Sequence, residues 1–282
     1  MPELPEVETV RRGLAPVMEG ATFTTVTLNR ENLRFPFAEN FAQRLMGTKV
    51  ERLSRRAKFL QTELSSGERL FMHLGMSGRF TIEQDALNRP GVFAHAASET
   101  NPKHDHVIFE MNNGARITYN DPRRFGFMEL IAKNAPYRLD HIGPEPLGND
   151  FNAPILRQAL KGKKSKIKAA LLDQAIVAGL GNIYVCEALF KAGISPRRAA
   201  GRLKVAESED LVIHIKDVLT RAIEAGGSSL NDFASTEGAL GYFQHSFDVY
   251  GRENDPCPKC QNPIRRITQS GRSSFYCGKC QS

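Results

Sequence analysis

The sequence predicts an α+β protein of more than one domain: an antiparallel β-sandwich or barrel with a leading helix, then a helical region, then a small cysteine-rich hairpin. Three observations predict it. Between residues 21 and 131, short runs of β-branched and aromatic residues follow one another without intervening helices, the pattern of an antiparallel sandwich or barrel. From 153 to 225 the apolar residues recur at helical spacing. Two C-x-x-C pairs close the chain. At 282 residues and 41% hydrophobic, the chain is long enough to divide into two domains, each with a core.

The first element is a helix. In MPELPEVE, Pro5 suits a first helical position, where its missing N–H would be unpaired anyway, and Glu6 and Glu8 favour the positive end of the helix dipole. Val7, Val10 and Leu14 follow at helical spacing, with Glu8 and Arg12 four apart on the outer face. Pro2 and Glu3 stand ahead of this helix and are not explained by it. Strands are expected at 21–29, 58–64, 69–75, 106–111 and 115–120, with MNNGAR as the hairpin turn between the last two. DPRRFGFMEL (121–130) starts as a turn and runs into a further strand. Phe125 and Phe127 share parity there, so sheet packing is expected for both, while the two arginines beside them do not fit a core. Met76 in HLGMSG also reads first as packing. His104 and His106 form an H-x-H without a third ligand, so phosphate contact or a surface position is preferred to metal binding. Residues 84–105 read as an irregular surface excursion.

Residues 132–150, ending HIGPEPLGND, read as an interdomain linker. Helices are expected at 153–161, 166–175, 182–192 and 206–225, and residues 226–250 read as a long loop, of a length that usually serves function or is disordered. KGKKSKIK (161–168) holds five lysines in eight residues, by itself a solvated charge run. GLGNIY (179–184) sets two glycines before Asn182, the expected N-cap of the next helix; free N–H groups at such a terminus bind phosphate. Its place beside the lysine run favours contact with a phosphate backbone over a plain turn.

Four of the five cysteines fall in the last 26 residues, where CPKC (257–260) and CGKC (277–280) enclose sixteen residues. Two such pairs at this separation are a zinc-ribbon signature: Cys257, Cys260, Cys277 and Cys280 can close a tetrahedral site with a hairpin between the pairs. A closed four-thiolate site has no open coordination position, so the zinc is structural. The same segment carries Lys259, Arg265, Arg266, Arg272 and Lys279 and no acid, and Arg272 lies in SGRSS, an expected hairpin tip. Cys186 shares a helical face with Ile183 and Phe190 and reads as a buried thiol. The net charge of +7 favours a polyanionic partner. No run approaches 18 apolar residues and no basic-then-apolar leader opens the chain, so no membrane association and a cytoplasmic location are expected.

Together, Pro2-Glu3 in PELPEVE, Lys58 in RRAKFL, DPRRFG, GPEP, GLGNIY and the C-x2-C-x16-C-x2-C ribbon resemble the bacterial formamidopyrimidine-DNA glycosylases, from residue 2 to the last cysteine pair. The resemblance implies an N-terminal catalytic β-sandwich with flanking helices (2–131), a linker (132–150), a helical helix-two-turn-helix domain (151–250) with a lesion loop at 226–245, and a zinc finger (251–282). It implies a bifunctional glycosylase and abasic-site lyase of base excision repair that removes oxidised purines from double-stranded damaged DNA, bacterial and nucleoid-associated, acting as a monomer. Pro2 would be the nucleophile and Glu3 its acid–base partner, with Lys58 and Arg272 also catalytic. His104, Arg123, Lys163 and Asn182 would contact DNA, while Met76, Arg123 and Phe125 would fill the gap left by an extruded base. Two alternatives remain open: an endonuclease VIII-like enzyme for oxidised pyrimidines, which typically begins Pro-Glu-Gly where this chain has Pro-Glu-Leu, and a noncatalytic zinc-ribbon DNA-binding protein. The excursion around 84–103 matches no family motif.

The implied chemistry explains the opening residues. With Met1 removed, Pro2 carries a terminal secondary amine, and α-amino groups titrate near pH 8, far below lysine at about 10.4. Attack on C1′ of the damaged nucleotide expels the base and yields an iminium. That electron sink acidifies the C2′ proton, so the 3′- and then the 5′-phosphate are eliminated, with Glu3 shuttling protons.

Overall fold

The computed structural model describes residues 2–84, 101–136, 139–228 and 243–282. The chain forms two compact units, one of residues 1–138 with 226–242, the other of residues 139–225 with 243–282.

In chain order the first unit contains α1 (Leu4–Met18), β1 (Phe23–Leu28), α2 (Phe41–Leu45), β2 (Val50–Arg56), β3 (Phe59–Leu64), β4 (Arg69–His73), β5 (Arg79–Gln84), β6 (Asp105–Met111), β7 (Ala115–Asn120) and β8 (Phe127–Ile131). The helix starts one residue before Pro5. Glu3 is its N-cap, because the Glu6 carboxylate reaches back to accept the Glu3 N–H at 2.8 Å and closes a capping box. Val7, Val10 and Leu14 are buried, as their spacing predicts.

Two antiparallel four-stranded sheets follow, ordered β1-β6-β7-β5 and β2-β3-β4-β8. Phe23, Phe80, Phe109 and Ile117 of the first sheet share one core with Leu53, Leu60, Leu70 and Met72 of the second and with the apolar face of α1. This is a β-sandwich, and each of these large side chains contributes about 1.5–3 kcal/mol by its burial. The turn after β6 is the expected hairpin, with Gly114 in the left-handed region at φ 81°. Three elements were not predicted: α2, β2 and β5. The last two lie at sheet edges, where charged side chains face water and obscure the alternation; β2 also has a register shift between Val50 and Arg52.

The second unit contains α3 (Ala153–Leu160), α4 (Ile167–Leu171), α5 (Asn182–Lys191), α6 (Val205–Glu224), β9 (Ile264–Gln269) and β10 (Arg272–Cys277). Asn152 caps α3 by accepting the Ile155 N–H at 3.1 Å. Leu156, Ile167, Leu171, Val185, Leu189, Leu211, Ile215 and Leu219 form its core. The expected helix over 166–175 stops at Leu171, because Gln174 turns inward and clamps the loop ahead of α5. Its Oε1 accepts the Gly179 N–H at 2.8 Å and its Nε2 donates to the Leu172 and Leu180 carbonyls, each at 3.1 Å. The cap of α5 is Gly181, not Asn182, whose side chain is engaged elsewhere. Strands β9 and β10 pair as a hairpin through Ser270 and Gly271, both left-handed, as a two-residue turn requires. Cys186 is buried, and packs with Phe190, Val249, Ile264 and Phe275 beneath this hairpin.

Candidate active site and nucleic-acid interface

Pro2 and Glu3 are both buried at the start of α1. The Glu6 carboxylate organises this end of the helix. One oxygen accepts the Glu3 N–H; the other accepts the Ser228 N–H at 2.8 Å and the Ser228 hydroxyl at 3.0 Å. Gly227, at φ 81°, lies so close that a Cβ there would sit 3.1 Å from the Glu6 carboxylate. The segment 226–228 is therefore fastened to the residues that follow Pro2. Residues 229–242, most of the expected lesion loop, lie outside the described residues, as do 85–100 of the 84–103 excursion.

A second carboxylate joins α1 to the turn that carries Lys58. Glu8 pairs with Arg11 at 2.8 Å, with Arg12 at 3.1 Å and with Arg55 at 3.3 Å. Burial alone would raise the Glu8 pKa, but the hydrogen bonds and charges of these arginines outweigh it and hold the carboxyl below its ordinary range. Arg55 in turn donates to the Ala57 carbonyl at 2.9 Å, and Ala57 is left-handed at φ 52°. Lys58 is the second residue of this turn and is buried.

Beyond Lys58 the sheet register brings Phe59, His73 and Phe127 side by side across β3, β4 and β8. The His73 ring stacks on Phe127 at 5.2 Å and 18°. His73 Nδ1 accepts the Gly75 N–H at 3.0 Å, which leaves Nε2 to carry the ring hydrogen. Burial first, then the charges of Lys58 and Arg34, lower its pKa to about 4. His73 is thus a neutral donor beside Lys58. It was not singled out in the sequence, where it is one histidine in the apolar run RLFMHLG.

The loop after β4 holds Met76, half-buried, and the loop before β8 holds Arg123 and Phe125. Sheet packing holds for Phe127 but not for Phe125, which is 44% exposed with the Arg123 guanidinium 5.1 Å from its ring centroid. Arg124 turns left-handed at φ 56° and the strand begins only at Phe127, so parity does not extend back to Phe125. The two histidines separate in the same way. His104 is half-buried, whereas His106 is buried and its Nε2 donates to the Asp121 carbonyl at 2.9 Å, which overturns a surface position for it.

In the second unit the lysine run divides. Lys161, Lys163, Lys164 and Lys166 are exposed, while Lys168 is fully buried. Lys168 Nζ donates to the Ser273 carbonyl at 2.9 Å and to the Ser274 hydroxyl at 2.7 Å. The Asn182 amide donates to the same Ser273 carbonyl at 3.0 Å and to the Tyr250 hydroxyl at 3.4 Å. Two helices thereby hold the base of β10 next to Arg272, its first residue. Lys168, Tyr250 and Ser273 were missed in the sequence because nothing local marks one lysine of five as the buried one. Glu187, on the buried face of α5, supports Tyr250 from behind by accepting the N–H groups of Asp248, Val249 and Tyr250. Burial raises the Glu187 pKa, and these three bonds oppose the shift.

The four ribbon cysteines converge, with every sulfur within 4.8 Å of the others. Cys257 and Cys280 lie 3.9 Å apart and Cys260 and Cys277 3.5 Å apart. Tetrahedral Zn–S bonds of about 2.3 Å require sulfurs about 3.8 Å apart, so the site fits zinc. The Asn262 side chain donates to Cys260 and lowers its pKa to about 6, whereas the hydrogen bond with Cys260 pushes Cys280 up to about 12. Four thiolates share this volume only around a cation. One structural zinc, once bound, ties the two C-x-x-C turns together.

Three family models match in chain order: the formamidopyrimidine-DNA glycosylase N-terminal domain over residues 1–128, the helix-two-turn-helix domain of the same glycosylases over 142–234, and a zinc finger found in these glycosylases and in an isoleucyl-tRNA synthetase over 254–282. The formamidopyrimidine-DNA glycosylase of Ruegeria pomeroyi is 60% identical and that of Roseobacter denitrificans 57%, each over the full length of both chains. Among solved structures, the MutM (Fpg) protein of Thermus thermophilus matches with a TM-score of 0.85 at 37% identity, covering 99% of this chain and 98% of its own. The Lactococcus lactis Fpg matches with a TM-score of 0.86 at 35% identity over all of both chains, in a complex with DNA containing N7-benzyl-Fapy-dG. With the sandwich, the helical unit and the cysteine ribbon all present in that order, the chain belongs to the formamidopyrimidine-DNA glycosylase family.

Proposed function

We propose that this DNA repair glycosylase excises oxidised purines, 8-oxoguanine and formamidopyrimidines, through a Schiff base at the Pro2 amine, and then nicks the strand by β,δ-elimination. The observation that carries the reading is the buried start of α1, where a capping box and Ser228 fix Glu3 and Glu6 directly behind Pro2. A secondary amine held there attacks C1′ as the base leaves, and Glu3 carries protons between sugar and amine. Lys58, buried beside neutral His73, and Arg272, presented by the Lys168–Asn182 clamp, are assigned to phosphates next to the lesion. His104, Lys163 and Asn182 are assigned to further phosphates. Met76, Arg123 and Phe125 are assigned to the gap left by the extruded base; half-exposed apolar side chains offset unstacking in this way.

The domain division proposed is a catalytic sandwich over 2–131, a linker over 132–150, a helix-two-turn-helix domain over 151–250 that includes the lesion loop 226–245, and the zinc finger over 251–282. DNA is the partner. No helix among the described residues is long and apolar enough to cross a membrane. The enzyme is proposed to work as a monomer on the bacterial nucleoid in the cytoplasm.

A panel of duplexes carrying 8-oxoguanine, a formamidopyrimidine, an oxidised pyrimidine or a pre-formed abasic site tests this reading. Excision of the two purine lesions with nicking at the abasic site is expected. Preference for the pyrimidine would move the chain to the endonuclease VIII type, and binding without nicking would make it noncatalytic.

A further inference from the structure

We infer that Asp121 is a positioning residue: it locks the Met76 loop and the Arg123–Phe125 loop together as one preformed wedge. The inference rests on the reading of Met76, Arg123 and Phe125 as the residues that enter the duplex. Asp121 is fully buried at the end of β7 and was expected only to start a turn. Its carboxylate is shared between the two loops. Oδ1 accepts the Ser77 hydroxyl at 2.6 Å, one residue after Met76. Oδ2 accepts the Gly126 N–H at 2.9 Å, one residue after Phe125, and the Tyr119 hydroxyl at 3.3 Å. The Ser77 oxygen then accepts the Arg123 N–H at 3.2 Å, which closes a ring from one loop to the other. The Asp121 carbonyl accepts the Arg124 N–H at 3.2 Å and His106 Nε2–H at 2.9 Å, so the same residue also sets the left-handed turn ahead of Phe125.

The backbones are pressed together around this carboxylate. A Cβ on Gly75, at φ 63°, would overlap the backbone of Phe125 and Gly126. On Gly78 or Gly126 it would overlap the Tyr119 hydroxyl. Arg123 and Phe125 stay exposed and Met76 half-buried, while Ser77, Asp121 and Gly126 at the loop bases are buried and joined by hydrogen bonds. Preorganisation of this kind matters for an insertion that must offset unstacking, because loops ordered only on contact would lose part of that offset to entropy. A carboxylate suits the role because it accepts from Ser77, Tyr119 and Gly126 at once. An amide in its place presents an NH2 group to at least one of these donors.

The test compares Asp121→Asn and Ser77→Ala with Met76→Ala on two substrates, an 8-oxoguanine duplex and a single-stranded oligonucleotide with a pre-formed abasic site, which has no stack to open. A 2-aminopurine opposite a stable abasic analogue reports on the orphaned base. Both positioning variants should lose about tenfold in excision from the duplex, the effect of one lost buried hydrogen bond. They should weaken the 2-aminopurine response and nick the single strand within about twofold of the parent. Ser77→Ala keeps the test decisive if Asp121→Asn fails to fold. Unchanged duplex excision in Ser77→Ala, or equal losses on both substrates, would overturn the inference. If Met76→Ala itself leaves duplex excision and the fluorescence response intact, the wedge reading beneath it is what fails.

Discussion

Lys58 sits buried at the edge of an aromatic cluster, and its charge falls on a histidine that stays neutral. If Lys58 holds a phosphate and assists base departure, Lys58→Ala should lose base excision by about tenfold to a hundredfold, the range for a charge-assisted bond, and lose less on a pre-formed abasic site. Equal losses on both substrates, measured in single turnover, would indicate general binding. His73 makes a separate prediction. Folding lowers its pKa from 6.5 to about 4, so between these values the folded chain holds fewer protons than the unfolded one. The stability from the neutral ring is complete above pH 6.5 and falls as pH is lowered through this window. His73→Gln should flatten the fall of Tm between pH 6.5 and 4 relative to the parent, and parallel curves would contradict it. Single residues were unevenly legible. Pro2, Glu3 and Lys58 could be put forward as candidates because their motifs are family-specific. His73, Lys168 and Asp121 were missed because their significance lies in burial and in partners far along the chain, which no local pattern encodes.

The ribbon is the element with the least core of its own. Its hairpin packs on Cys186, Phe190 and Val249, and Lys168 and Asn182 hold it at Ser273. The metal therefore supplies most of its folding energy. Cys277→Ser should release zinc, abolish DNA binding and leave the cooperative unfolding of the sandwich in place, as circular dichroism and metal analysis can check. Full nicking by protein shown to be metal-free would contradict this. This element was also the most legible, since ligand type and spacing alone define it. The sandwich was legible in its central strands, where alternation is clean, as in Val107, Phe109 and Met111. It was not legible at β2 and β5, whose edge positions let charged residues dilute the pattern. Near Phe125 the alternation misled, because a left-handed Arg124 breaks the parity that a continuous strand would have kept.

The whole chain consists of two units with separate cores: Pro2 and the proposed wedge residues Met76, Arg123 and Phe125 belong to one, the lysine run, the Ser273 clamp and the zinc ribbon to the other. Backbone contacts from the second unit should make affinity strongly salt-dependent. Replacing exposed Lys163 with Ala should reduce the slope of log K against log salt by about 0.9 if that lysine neutralises one phosphate, and leave it unchanged if the run is only solvated. The central claim concerns the terminal amine of Pro2, and one measurement addresses it directly. Borohydride reduction during turnover on damaged DNA should trap the processed protein covalently, and mass analysis should place the adduct on Pro2. A protein with a non-cleavable N-terminal extension has an amide at Pro2, whose delocalised lone pair cannot form an iminium; it should bind DNA yet give no adduct and no nick. An extended protein that cuts as fast as the processed one, or an adduct that maps to Lys58, would contradict the account.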